Sequence, residues 1–117
     1  MRLLAPVKRL IRRAEFQKVA EGRRKWVAPG LILQAARQSP AGELRVGFTA
    51  SRKVGNAVAR NRARRRLRAA SAELLPAHAA EGHDYVLIAR TGTLTRRYQA
   101  LLADLAEGLQ RLGVYRT

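Results

Sequence analysis

Apolar residues recur along this chain with two different periods, and those periods divide it into elements. Phe16, Val19 and Ala20 stand at i, i+3 and i+4 and share one helical face, with Gly22 as a stop, so a short helix is expected over 13–21. Residues 25–27 and 31–36 read as strands on either side of the breaker Pro29-Gly30. In 44–50 the alternation is clear: Leu44, Val46 and Phe48 point one way, Arg45 and Thr49 the other. The turn-like stretch QSPAGE, 38–43, lies between the last two strands and suggests that they pair as an antiparallel hairpin. A long helical pattern follows over 56–75, closed by Pro76, and then a loop over 77–83. The run 84–90 is apolar on consecutive positions, as in a strand covered on both faces. A turn at 91–93 leads into a last helix over 95–112, whose Tyr98, Leu101, Leu102, Leu105 and Leu109 form a core-facing stripe. Residues 1–12 read as a basic, partly extended arm, since Pro6 opposes an early helix. The order is helix, strands, helix, strand, helix: an α+β or α/β sandwich in a single domain over 1–117.

Charge changes this picture. The chain carries 24 Lys and Arg against 8 Asp and Glu, a formal net charge of +16. Self-repulsion of that size destabilises a compact state unless an outside partner neutralises it. Nearly all the cations are arginine, whose planar fork grips phosphate and stacks on bases. Nucleic acid is the first expectation and an acidic membrane surface the second. The absence of cysteine excludes disulfides and thiolate chemistry and fits a cytoplasmic location. The first residues hold no apolar run suited to a signal peptide, and no stretch is long enough to span a bilayer.

The arginines concentrate on the long helix. At about 100° per residue, Ala59, Ala63, Leu67, Ala70 and Leu74 occupy a sector of about 80°, which must face the core. Asn61, Arg64, Arg65 and Arg68 fall opposite, with Arg60 on one flank and Arg62 and Arg66 on the other. Arg60, Arg64 and Arg68 repeat like charge at i, i+4, and no Asp or Glu occurs from Leu44 to Ala72. A merely solvated face would intersperse glutamates, so a phosphate-binding face is the better reading. Arg52 and Lys53 add charge just ahead of the helix, Gly55 permits a tight turn, and Asn56 is a suitable N-cap. The free N–H groups of a helix start can themselves hold phosphate.

The stretch SRKVGNAVARNRARRRLR, Ser51 to Arg68, resembles the signature of the bacterial ribonuclease P protein family. Its specific parts are Gly55-Asn56-Ala57-Val58, Arg60-Asn61-Arg62, Arg64-Arg65 and Arg68, supported by Arg9-Leu10, Phe16-Gln17-Lys18-Val19 and Leu44-Arg45-Val46-Gly47. The resemblance implies an α-β-β-β-α-β-α sandwich with a four-stranded mixed sheet and a left-handed βαβ crossover, against the usual right-handed rule. It implies the protein subunit of a ribonucleoprotein endonuclease that removes the 5′ leader of precursor tRNA. The RNA subunit and its Mg²⁺ would perform the hydrolysis, and the protein would bind no cofactor. By the same resemblance, Arg52, Lys53, Asn56, Arg60, Asn61, Arg62, Arg64, Arg65 and Arg68 would contact the catalytic RNA. A cleft between the first helix and the sheet, with Arg12, Phe16, Leu33, Arg45 and Arg90, would take the single-stranded leader. Family members often carry further aromatics in that cleft where this chain has Ala20 and Leu33, which shifts the expected leader contact toward charge. Arg66 stands where the family usually has an apolar residue and is expected to snorkel outward.

No active site is visible in the chain itself. The eight acids are scattered, no Ser or Lys has nucleophile context, and His78 and His83 are expected in a solvated loop. Asp84 reads as punctuation at a strand start. Two other classes remain beside the ribonucleoprotein subunit: a non-catalytic RNA scaffold protein, and a DNA-binding regulator. The ordered Gly-Asn-Ala-Val and Arg-Asn-Arg motifs weigh against the first. A basic helix that follows a strand, not the short turn of a helix-turn-helix, weighs against the second. The expected partners are therefore the catalytic RNA and precursor tRNA, with no membrane and no DNA.

Overall fold

The strand that is apolar on consecutive positions takes the centre of the sheet. The computed structural model describes residues 6–117. Its strands are β1 (Val7–Arg9), β2 (Lys25–Val27), β3 (Leu31–Ala36), β4 (Leu44–Thr49) and β5 (His83–Ala89), joined in the order β1-β4-β5-β3-β2. β5 is flanked by β4 in parallel and by β3 antiparallel, and it is buried along nearly its whole length. The helices are α1 (Arg13–Glu21), α2 (Ala57–His78), α3 (Thr91–Thr95) and α4 (Tyr98–Arg111). The fold is α+β, with α2 crossing from β4 to its parallel neighbour β5.

Strand parity assigns the two faces. Leu31, Leu33 and Ala35 of β3, Leu44 and Val46 of β4, and Tyr85, Leu87 and Ala89 of β5 form the main core with Ala63, Leu67, Ala70 and Leu75 of α2 and Leu101, Leu105 and Leu109 of α4. The other face meets α1 through a smaller cluster, in which Phe16, Ala36 and Ile88 pack against Leu10, Val19 and Val86. None of the helices is long and apolar enough to cross a membrane, among the described residues.

Several expectations change here. The sheet has five strands, not four, because Val7–Arg9 of the basic arm adds to the edge beside β4; the arm before residue 6 lies outside the described residues. β3 and β4 do not form a hairpin: β5 lies between them and pairs with both. A strand with two apolar faces is worth more in the middle of the sheet than at its edge, so burial of β5 overrides the local turn signal. α2 does not stop at Pro76 but continues to His78. A proline near the helix end removes only one late hydrogen bond, and the C-terminal tail supports this turn: Arg116 donates to the Pro76 carbonyl at 2.8 Å and, through its backbone N–H, to the His78 carbonyl at 2.6 Å. The last helical region is two helices, the short α3 turning into α4 at Arg96 and Arg97.

The two histidines are not in a solvated loop. His78 ends α2 and stacks on Tyr115 at 5.0 Å between ring centroids. His83 begins β5, buried, with Nδ1 2.9 Å from the Glu81 carbonyl oxygen.

Candidate nucleic-acid interface

The α2 surface is built by its N-terminal junction. Ser51 leads into a 3₁₀ turn, Arg52–Val54, and Gly55 then adopts φ 146°, a conformation that side chains disfavour. Asn56 caps α2: its Oδ1 accepts the Ala59 N–H at 2.9 Å. That oxygen is therefore occupied, and Asn56 serves first to fix where the helix begins. Arg52 and Lys53 stay exposed beside it.

Along α2 the helical period separates core from surface. Ala63, Leu67 and Ala70 are buried, while Asn61, Arg62, Arg65 and Arg68 are exposed and Arg60 and Arg64 half-buried. Arg60 reaches back to the Gly55 carbonyl at 3.4 Å, and Arg64 donates to Asn61 Oδ1 at 2.5 Å. Val58, in the first turn, is 75% exposed and adds an apolar spot to this cationic face. Ion pairing elsewhere leaves the face uncompensated. Glu15, Glu43, Glu81, Asp84, Asp104 and Glu107, six of the chain's eight carboxylates, pair with Arg45, Lys8, Arg116, Arg45, Arg96 and Arg111. None of these ion pairs uses a cation between Arg52 and Arg68.

Arg66 belongs to a different set. It does not snorkel outward; its guanidinium donates to the carbonyls of Leu94, at 3.4 Å, and Arg96. These carbonyls close α3, so Arg66 clamps the α3–α4 elbow onto α2.

The opposite face of the sheet carries a shallow cleft beneath α1, lined by Arg13, Phe16, Gln17, Gln34, Thr49 and Ile88. Phe16 packs close on β4 because Gly47 has no side chain: a Cβ there would stand 2.3 Å from the ring. The ring is half-buried, so the core role and an exposed ring face coexist at this residue. Arg12 is exposed at the start of α1 and lines a second hollow with Lys18 and Arg45.

Three residues expected in this cleft are placed otherwise. Leu33 is 0% exposed and points to the α2–α4 side, since odd positions of β3 face that core. Arg45 borders the cleft, but its guanidinium is committed: it donates to both oxygens of Asp84, at 2.7 and 2.6 Å, and to Glu15 at 3.0 Å. Arg90 donates to the Ala28 carbonyl at 2.6 Å and ties the end of β5 to the β2–β3 turn. Asp84 is not strand-start punctuation. It is 0% exposed and also accepts from Ser39 and Gln38. Burial alone would raise its pKa, but the hydrogen bonds from Arg45, Ser39 and Gln38 outweigh burial and hold it below the usual carboxylate range. Glu15 is held low chiefly by the backbone N–H groups of Arg12 and Ile11, whose hydrogen bonds fix the start of α1.

Sequence reading missed a third feature on the α2 side. Arg9 of β1 and Arg68 of α2 both lie over the Phe48 ring, at 5.6 and 5.8 Å from its centroid. No local pattern joins these residues; parallel pairing of β1 with β4 brings Arg9 to Phe48, and packing of α2 on β4 brings Arg68.

The chain is similar to known proteins over nearly its whole length. The model of the ribonuclease P family matches residues 4–113. The ribonuclease P protein component of Paramagnetospirillum magneticum is 58% identical over 115 residues, spanning 95% of this chain and 86% of that protein. That of Gluconacetobacter diazotrophicus is 49% identical over 106 residues, spanning 91% of each. Among solved structures, the RNase P protein of Staphylococcus aureus superposes with a TM-score of 0.74 at 21% identity, covering 92% of this chain and 97% of that one. The RNase P protein of Thermotoga maritima gives 0.71 at 20% identity, covering 89% and 96%.

Proposed function

The chain belongs to the ribonuclease P protein family, and on that premise we propose that it binds the catalytic RNA through the α2 face and the 5′ leader of precursor tRNA in the cleft beneath α1. The observation that carries the first part is the cation field from Arg52 to Arg68, in which no residue pairs with a carboxylate among the described residues. Six carboxylates are engaged elsewhere, and none is spent on this helix. A field of that kind is costly in isolation and gains most from phosphates, whose bound counterions it releases. RNA contacts fall to Arg62, Arg65 and Arg68, which are exposed, with Arg60, Asn61, Arg64, Arg52 and Lys53 around them. Asn56 sets the helix start, so that its first N–H groups face the same partner.

Leader binding rests on fewer groups than the sequence suggests. With Arg45 and Arg90 committed and Leu33 on the other face, Arg12, Arg13 and Phe16 remain to meet a single strand. A strand held there would rest on one aromatic ring, with Gln17, Gln34 and Thr49 as polar neighbours. Weak, sequence-tolerant leader binding is the consequence.

Hydrolysis falls to the RNA. Among the described residues no group of three or more His, Asp or Glu side chains is placed to hold a metal ion. The protein's share is electrostatic and positional: it screens phosphate repulsion between catalytic RNA and substrate and holds the leader in place. Its place of work is the cytoplasm.

Reconstitution tests this reading. Purified protein, cognate catalytic RNA and precursor tRNA are combined over a range of Mg²⁺. The protein alone is expected not to cleave, and to lower the Mg²⁺ that the RNA requires. Absence of stimulation at limiting Mg²⁺ would sink the proposal.

A further inference from the structure

Of the groove that Phe48 floors, only Arg68 takes part in the RNA contacts proposed so far. It is about 220 Å³ in volume and opens between the edge strand β1 and the C-terminal half of α2. Val7, Val46 and Pro76 supply apolar walls, and Phe48 with Arg9 and Arg68 forms a cationic floor. Phe48 is half-buried against the main core, so the ring is anchored. Both guanidiniums lie within stacking reach of it, at 5.6 and 5.8 Å. Neither Arg9 nor Arg68 has a carboxylate partner among the described residues.

We propose that this groove receives an unpaired nucleobase of the catalytic RNA, stacked on the Phe48–arginine floor, with the adjoining phosphate on Arg9 or Arg68. This rests on the α2 face being the RNA surface. Three observations favour a base over any other occupant. The groove is continuous with that face through Arg68. Its floor combines an aromatic ring with planar guanidiniums, the surfaces on which splayed bases of RNA stack. Its rim charge is wholly positive, which repels a second copy of this +16 chain and suits a polyanion. The site also provides, on the α2 side, the aromatic platform that the cleft beneath α1 mostly lacks.

The test uses full-length protein with the cognate catalytic RNA. Phe48→Leu keeps the apolar anchor and removes the stacking surface; Arg9→Gln alters only an exposed side chain. Affinity for the RNA is expected to fall roughly tenfold with Phe48→Leu at an unchanged salt slope, because stacking releases no counterions. Arg9→Gln is expected to weaken binding severalfold and to flatten the slope by about one phosphate contact. Ultraviolet irradiation of the wild-type complex should cross-link a nucleotide to the peptide that carries Phe48, and mass spectrometry identifies it. Should Phe48→Leu fail to fold, the Arg9→Gln affinity and the cross-link decide. Wild-type affinity in Arg9→Gln together with no cross-link at Phe48 overturns the proposal. So does self-association of the free protein that Phe48→Leu abolishes while RNA affinity stays unchanged, since that assigns the groove to a second copy. A triple Arg62, Arg65, Arg68 to Gln variant that binds as wild type would instead refute the α2 reading beneath it.

Discussion

Arg45 is the residue on which the sheet end facing α1 depends. Its guanidinium neutralises Asp84, which is fully buried, and reaches Glu15 at the start of α1. Removing one partner of a buried pair strands the other, so Arg45→Met should cost about 3–5 kcal/mol of stability near neutral pH. The pH dependence has a definite sign. In the native chain Asp84 titrates below its ordinary value, so its contribution is full above that value and is lost as pH falls through the lower folded pKa. Without Arg45, burial instead raises the Asp84 pKa, and protonation relieves the stranded charge. The gap between wild type and Arg45→Met should therefore begin to narrow above about pH 4, as Asp84 of the variant takes up a proton, and go on narrowing below it as the wild type loses its pairing. Chemical denaturation at a series of pH values checks this; a gap that widens on acidification would contradict the pairing. Phe16 and Gly47 make a second residue-scale unit. Gly47→Ala forces a methyl into the Phe16 ring at 2.3 Å, and overpacking of this kind costs about 1–3 kcal/mol. The ring must lift, which should show as a displaced α1 in an experimental structure of the variant.

At the scale of the element, α2 combines two demands that its sequence keeps apart by period. One stripe packs on β4, β5 and α4, and the rest carries charge. What orients the charge is the junction at Gly55, whose φ of 146° only glycine tolerates without strain. A Cβ there would also stand 2.8 Å from that of Ala59. Gly55→Ala is expected to cost about 1–3 kcal/mol and to weaken RNA binding beyond what its stability loss explains. Thermal unfolding and RNA titration of the same preparation separate the two effects. At the far end, the tail holds the helix past its proline. Arg116 grips the Pro76 carbonyl and Glu81, while Tyr115 stacks on His78.

Across the whole molecule, two populations stand apart from the arginines, such as Arg45, Arg96 and Arg111, that pair with carboxylates. Arg24, Arg66, Arg90 and Arg116 donate to carbonyls, at Leu112, Leu94 and Arg96, Ala28 and Pro76, and so fasten chain ends and turns. Arg62, Arg64, Arg65 and Arg68 donate to no backbone carbonyl among the described residues and keep their charge for the outside. Replacing Arg62, Arg65 and Arg68 by Gln should lower the log–log salt slope of RNA binding by roughly 0.7–0.9 per lost contact and leave the melting temperature nearly unchanged. Arg24→Gln and Arg116→Gln should do the reverse. Equal slopes in both sets would erase the division. The sequence by itself determined most of the helices and strands to within a few residues, though not β1 or the short α3, because side-chain period is a local property. It also determined the cationic face, because a 3.6-residue period places Arg65 and Arg68 opposite the stripe of Ala63 and Leu67, and Arg62 beside it, whatever else surrounds the helix. Only the tertiary structure decided that β5 separates β3 from β4, that Leu33 turns away from α1, and which arginines are free. These outcomes depend on meetings between residues far apart in the chain, such as Arg24 with Leu112 and Arg45 with Asp84. A periodic pattern states which face a side chain takes, but not what stands opposite it.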